Sequence, residues 1–259
     1  MTAAKDPGPL FLDGLRRAVA DDEIEILFQP QVEFATGRIV GAEALARWQQ
    51  PDLGELSAET LFGAAARAGF SAELSEYVQR RAIAAAAAWP DDLGHLRLSI
   101  NIMAADTVRE SFGDELLASL GQNDFDRQRL IVEVTETELI ENLDTAAALL
   151  TRLRGHGIQV SLDDFGTGYS SLLYLKVLPL DALKIDKRLT EDITGSERDR
   201  VVLRCIIAMG RTLGLKVVAE GVETEEQRSL LAAEGCDFYQ GYFCSPPVDS
   251  ASLVALVRR

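Results

Sequence analysis

The chain has 259 residues, 47% of them hydrophobic, and a net charge of −15 from 26 Lys and Arg against 41 Asp and Glu. That length suits one large domain with a sizeable core, and the acidic balance excludes a nonspecific DNA or RNA polymer surface, which needs a basic stripe. No apolar run approaches the roughly 20 residues of a membrane span, and the N-terminus lacks a signal-peptide pattern, so the chain reads as a cytoplasmic protein.

Residues 1–9 read as a flexible polar tail and residues 10–259 as one domain. Leu10 to Ala20 is expected to form a short helix with Leu15, Ala18 and Val19 on one face. Ile24 to Phe28 begins a strand that runs into Gln29-Pro30-Gln31, Thr36-Gly37 turns, and Arg38 to Arg47 returns as a second strand. Leu61 to Ala68 and Ala72 to Trp89 read as helices, the latter stopped before Pro90. From there strands and helices alternate. Strands are expected over Leu96–Ile102, Leu130–Val134, Gln159–Asp163, Ala182–Ile185, Lys216–Ala219 and Asp237–Tyr239. Helices are expected over Asp106–Leu120, Asp144–Arg154, Ser196–Leu213, Glu225–Glu234 and Ser250–Val257, with Gly155, Gly214 and Gly235 as stops. Cys205, Cys236 and Cys244 are odd in number, lack paired zinc spacing, and read as reduced core thiols.

Within this rhythm, Asn101, Glu133, Asp163, Lys184, Glu220 and Gln240 fall in or at the ends of apolar strands, each about one strand-helix unit from the next. Alternation implies a parallel sheet covered by helices. If the sheet closes into a (β/α)8 barrel, these strand ends meet on the rim where barrel active sites sit. In Asp163-Asp164-Phe165-Gly166-Thr167-Gly168, two adjacent carboxylates end a strand and two glycines allow a tight turn. Taken alone, that pair also fits a solvated loop with an Asp cap.

Glu43, Glu133, Asp163, Asp164 and Glu220 with the Asn101 carbonyl form an oxygen-only donor set, which selects hard cations such as Mg2+, Mn2+ or Ca2+ over zinc. Two ions sharing a bridging carboxylate account for so many acids and suit phosphodiester hydrolysis. His95 and His156 lie before strands, at the opposite end of a barrel, and read as surface residues. Lys184 reads either as a salt-bridge partner for the acids or as a group that orients water and stabilises charge. Arg47, four residues past Glu43, could hold a phosphate oxygen or form a surface ion pair.

Glu43-Ala44-Leu45 with Arg47 resembles the signature of the EAL-domain cyclic di-GMP phosphodiesterases. The resemblance runs from about Leu10 to the C-terminus. It includes Phe28-Gln29-Pro30-Gln31, Ser99-Ile100-Asn101-Ile102, Glu133-Val134-Thr135-Glu136, the Asp163 stretch, Leu183-Lys184-Ile185-Asp186, Val218-Ala219-Glu220-Gly221-Val222-Glu223-Thr224 and Gln240-Gly241-Tyr242. It implies an α/β fold, a modified TIM (β/α)8 barrel with one antiparallel strand, and hydrolysis of cyclic di-GMP to linear pGpG with two Mg2+ or Mn2+ ions, Ca2+ being inhibitory. By position, Glu43, Asn101, Glu133 and Asp163 would bind one metal. Asp163 would bridge to a second held by Asp164, with Glu220 acting directly or through water. Lys184 would contact the nucleophilic water and Gln240 would orient it. Gln29, Leu45 and Arg47 would lie along the nucleotide, Asp186 and Glu223 match further substrate positions, and Glu136 would hold the loop Phe165 to Ser171, which couples the site to a homodimer interface. The resemblance also implies a bacterial signalling setting, often with an attached sensory or diguanylate-cyclase-like domain. Met103, Leu189-Thr190 and Cys244 depart from the family pattern, and none is an implied metal ligand. Two other readings are a cyclic di-GMP receptor without catalysis and a protein-interaction module on the same barrel.

Overall fold

The computed structural model describes residues 9–135, 143–166 and 172–259. Nine strands are described: β1 Ile24–Glu33, β2 Ile39–Gln50, β3 Gly54–Ser57, β4 Arg97–Asn101, β5 Leu130–Thr135, β6 Gln159–Phe165, β7 Ala182–Ile185, β8 Lys216–Ala219 and β9 Phe238–Gln240. They pair in the order β1-β9-β8-β7-β6-β5-β4-β2-β3, and β1 also pairs with β2, so eight strands close a barrel and β3 extends β2 outside it. β1 runs antiparallel to both its neighbours, while β2 and β4 to β9 run parallel. The expected barrel with one antiparallel strand is the observed fold.

The α-helices among the described residues are α1 Pro9–Ala20, α2 Ala58–Arg67, α3 Ser71–Ala87, α4 Ala104–Thr107, α5 Phe112–Gln122, α6 Leu143–Gly155, α7 Leu172–Val177, α8 Lys187–Thr190, α9 Glu197–Thr212, α10 Glu225–Glu234 and α11 Ser250–Val257. Their limits follow local chemistry. Ser57 and Thr224 cap α2 and α10, the latter reciprocally with Gln227, and Gly235 ends α10 at φ 91°. The single helix expected over Asp106–Leu120 is instead α4 and α5. The Asp106 side chain reaches back to Met103 N–H and caps the short first helix, so the chain turns before Phe112 starts the second.

Side chains alternate across each barrel strand. Leu98, Val132, Val160, Leu162 and Leu183 face outward and pack with Ile83, Leu150 and Leu153 from the helices. A second core joins Leu15, Trp48, Leu61, Leu74 and Tyr77 around α1, α2 and α3. The alternate residues turn inward, and at the C-terminal strand ends these are the polar ones. Cys236 is buried and Cys244 half-buried, but Cys205 is exposed on α9, a correction to the expectation of three core thiols. All three are free. His95 and His156 are exposed ahead of β4 and β6. Among the described residues no helix is long and apolar enough to cross a membrane.

Candidate metal centre and active site

β7 is buried on both faces and carries Lys184, whose side chain has no solvent exposure. Its ammonium lies 3.1 Å from Glu43, 2.9 Å from Glu133, 3.0 Å from Asp163 and 2.9 Å from Glu220. Four barrel strands or strand ends, β2, β5, β6 and β8, thus aim one acid each at the lysine on β7. A single ammonium cannot neutralise four carboxylates, and charge removed from water needs a partner.

Adjacent strand residues normally face opposite sides. Asp163 and Asp164 both join the site because the β6–β7 register shifts between Leu162 and Phe165 and Asp164 adopts φ 54°. Asp164 N–H donates to Asp163 Oδ1 at 2.9 Å. One oxygen each from Glu43, Glu133 and Asp163 lie within 4.8 Å of one another, as do oxygens from Asp163, Asp164 and Glu220. Asp163 is common to both groups. The oxygen-only donors and the excess of anions fit two hard divalent cations. Asn101, at the end of β4, donates its amide to Glu43 Oε1 at 3.1 Å and stands beside Glu133 in the β4–β5 register.

Proton affinities follow the same crowding. Burial, then repulsion from neighbouring acids, outweighs Lys184 and pushes Glu133 up to about 8. Burial and the Asp163 charge push Asp164 up to about 7. Asp163 and Glu220 are also raised, chiefly by burial. Glu43 is the exception: burial opposes its ionisation, but Lys184, Gln240 and Asn101 together hold it below the ordinary range. Burial works against the Lys184 charge too, yet the surrounding acids hold its pKa well above the usual lysine value.

A relay of amides completes the cluster. Gln240 donates to Glu43 Oε2 at 2.7 Å and to Gln29 at 3.0 Å, and it accepts from Gln31 at 3.1 Å. Gln29 lies opposite Glu43, and Gln31 opposite Gln240, in the antiparallel registers of β1. Sequence reasoning missed Gln31; its signal was a polar residue two positions after Gln29 on one strand face. Beside the cluster opens a cavity of about 410 Å³ lined by Glu43, Leu45, Phe62, Asn101, Met103 and Asp164, among others.

Other expected site residues stand further out. Arg47 donates to the Ala46 carbonyl at 2.8 Å and its Nε lies 3.9 Å from Glu55. Asp186 is buried, caps α8 through Arg188 N–H, and pairs with the Arg188 side chain at 2.9 Å. It also hydrogen-bonds Asp164. Glu223 is exposed, and its backbone N–H donates to Gln227. Glu136 and Thr167 to Ser171 lie outside the described residues.

The sequence pattern of the EAL domain matches residues 13–247. The chain is 42% identical over 252 residues to the cyclic di-GMP phosphodiesterase NbdA of Pseudomonas aeruginosa, covering 94% of this chain and 31% of that one. It is 35% identical over 248 residues to MucR of the same organism, a bifunctional diguanylate cyclase and cyclic di-GMP phosphodiesterase, covering 95% and 36%. The chain therefore spans about a third of the length of these curated relatives. The solved PaMucR phosphodiesterase in complex with c-di-GMP superposes with a TM-score of 0.88 at 34% identity, covering 93% of this chain and 98% of that one. A match of such extent, on a barrel with this acid cluster at its mouth, places the chain in the EAL domain family.

Proposed function

We propose that this chain hydrolyses cyclic di-GMP to linear pGpG with two divalent cations, Mg2+ or Mn2+. The observation that carries the reading is the pair of carboxylate groups sharing Asp163 around a buried lysine, beside an open cavity. Glu43, Asn101, Glu133 and Asp163 would hold one ion, and Asp163, Asp164 and Glu220 the other. Bound there, two ions supply neutralisation of a phosphodiester and a more acidic water. Lys184 holds the attacking water against the acids, and Gln240, fixed by Gln29 and Gln31, orients it. Leu45, Phe62 and Met103 give the cavity an apolar side for a purine, while Gln29 and Arg47 face the sugar-phosphate. Asp186 supports Asp164, and Glu223 reaches the outer part of the ligand. Ca2+, with its larger and looser coordination, inhibits.

The active unit is a homodimer in the bacterial cytoplasm; exposed Leu172 (64%) and Val177 (39%) on α7 support an apolar interface there. The short span against its relatives supports a further sensory or cyclase-like domain in the working protein. The test is incubation of purified protein with cyclic di-GMP and Mg2+ or Mn2+, with separation of products. Linear pGpG is expected from the wild type and none from Glu43→Ala. Tight binding of intact cyclic di-GMP without turnover would instead make the chain a receptor.

A further inference from the structure

Behind the cavity wall lies a buried carboxylate that the proposed chemistry does not use. Asp106 has no solvent exposure. Its Oδ2 accepts from Ser75 Oγ at 2.5 Å, from Met103 N–H at 3.0 Å and from Gln79 Nε2 at 3.2 Å. Gln79, one turn beyond Ser75 on α3, also donates to the backbone carbonyl of Asn101 at 3.0 Å. Ile102 N–H meanwhile donates to the Glu133 carbonyl at 2.8 Å. Three consecutive residues, Asn101 to Met103, are thus tied at one backbone atom each.

We propose that Ser75, Gln79 and Asp106 form a positioning device for Asn101, fixing the strand end from which its amide meets Glu43 and the first metal group. The inference rests on the metal-dependent reading above. A four-residue helix does not by itself account for a fully buried carboxylate, because a hydroxyl can cap it at lower desolvation cost. Nor does a cap account for the reach of Gln79 past Asp106 to Asn101. Supporting groups behind a metal ligand set its orientation, and their loss typically weakens metal binding or activity by about 10- to 100-fold. The other Asp106 oxygen has no hydrogen-bond partner among the described residues; the Arg109 guanidinium lies 3.8 Å from it and in turn pairs with Glu115 on α5 at 3.1 Å. The device therefore anchors β4 to α3 and, through Arg109, to α5.

The experiment titrates Mn2+ alone into the purified full chain by calorimetry, records melting of each variant, and measures turnover at saturating Mn2+. Gln79→Leu and Asp106→Ala should each weaken Mn2+ binding about tenfold, whereas Asp106→Asn, whose amide oxygen accepts the same donors, should stay within about twofold. Ser75→Ala removes one donor and spares the Asn101 contact, so it should weaken binding by only about threefold and serves if Gln79→Leu does not fold. Lower melting temperatures with unchanged Mn2+ affinity in the folded variants would reduce the trio to a plain helix cap and overturn the proposal. A wild type that binds Mn2+ but leaves cyclic di-GMP intact defeats the hydrolase reading while the Mn2+ titration still decides this one. No Mn2+ binding by the wild type overturns both.

Discussion

Lys184 touches four acids at once, so its removal separates charge balance from chemistry. In Lys184→Met the cluster loses its ammonium, and the acids must take up protons or repel. Breaking a buried ion pair from one side costs about 3–5 kcal/mol. The loss should be larger at pH 8 than at pH 5, because Glu133, pushed up to about 8, is already protonated at pH 5 and then brings one charge fewer to the unpartnered cluster. Urea unfolding at the two pH values checks this; an equal loss at both contradicts it. Turnover should fall by at least about a thousandfold, on the scale of losing a preorganised charge donor. The shared position of Asp163 gives a second test. Asp164→Asn alters only one carboxylate group and should reduce Mn2+ stoichiometry from two to one. Asp163→Asn alters both and should abolish tight binding of either ion. Identical stoichiometries in the two variants would contradict the bridging arrangement.

The antiparallel course of β1 is what delivers Gln29 and Gln31 to the same rim as the parallel strands. Gln31→Leu keeps the strand's shape but frees the carboxamide of Gln240 to rotate. Turnover should drop about tenfold with melting nearly unchanged, and an unchanged rate would remove Gln31 from the relay. Just beyond β9, a Cβ on Gly241 would meet Val222 backbone atoms at 2.2 Å and 2.3 Å. Val222 N–H also donates to the Gln240 carbonyl at 3.1 Å. Gly241→Ala must therefore push two backbones apart and displace Gln240, lowering stability by about 1–3 kcal/mol and turnover together. Much at this scale was legible in the sequence, since a polar residue breaking an apolar strand marks an inward position near its end; Glu133 and Lys184 are the plain cases. The direction of β1 was not legible, because two-residue alternation is the same in either sense. The split between α4 and α5 escaped because Asp106 reads as an ordinary first-turn acid until Ser75 and Gln79, distant in sequence, close around it. Asp164 joined Asp163 at the mouth only through a positive φ and a register shift, neither of which composition displays.

Across the whole molecule, a chain with net charge −15 concentrates several of its acids where strands converge. Without cations that mouth holds protons, which links folding, pH and metal. Glu133 rises from an ordinary 4.5 to about 8 in the fold. The folded state then binds a proton that the unfolded chain has released between those values, so the stability this group gives is full below about 4.5 and lost as pH rises through about 8. Asp164 adds the same trend with its upper end near 7. Glu43 and Asp186, held below their ordinary values, act in the opposite sense only under acid conditions, below the ordinary carboxylate range. The metal-free protein should therefore melt at progressively lower temperature from pH 5 to pH 8. Divalent ions bind the deprotonated carboxylates and displace those protons. Saturation at about 100 times the dissociation constant adds roughly 2.7 kcal/mol for one site, so the increment in melting temperature from Mg2+ or Mn2+ should widen as pH rises, with proton release detectable in weakly buffered titrations. Chelation by EDTA should restore the metal-free melting curve and stop turnover. A metal increment that stays constant from pH 5 to pH 8, with no protons released, would mean that the ions bind outside the ring of acids around Lys184.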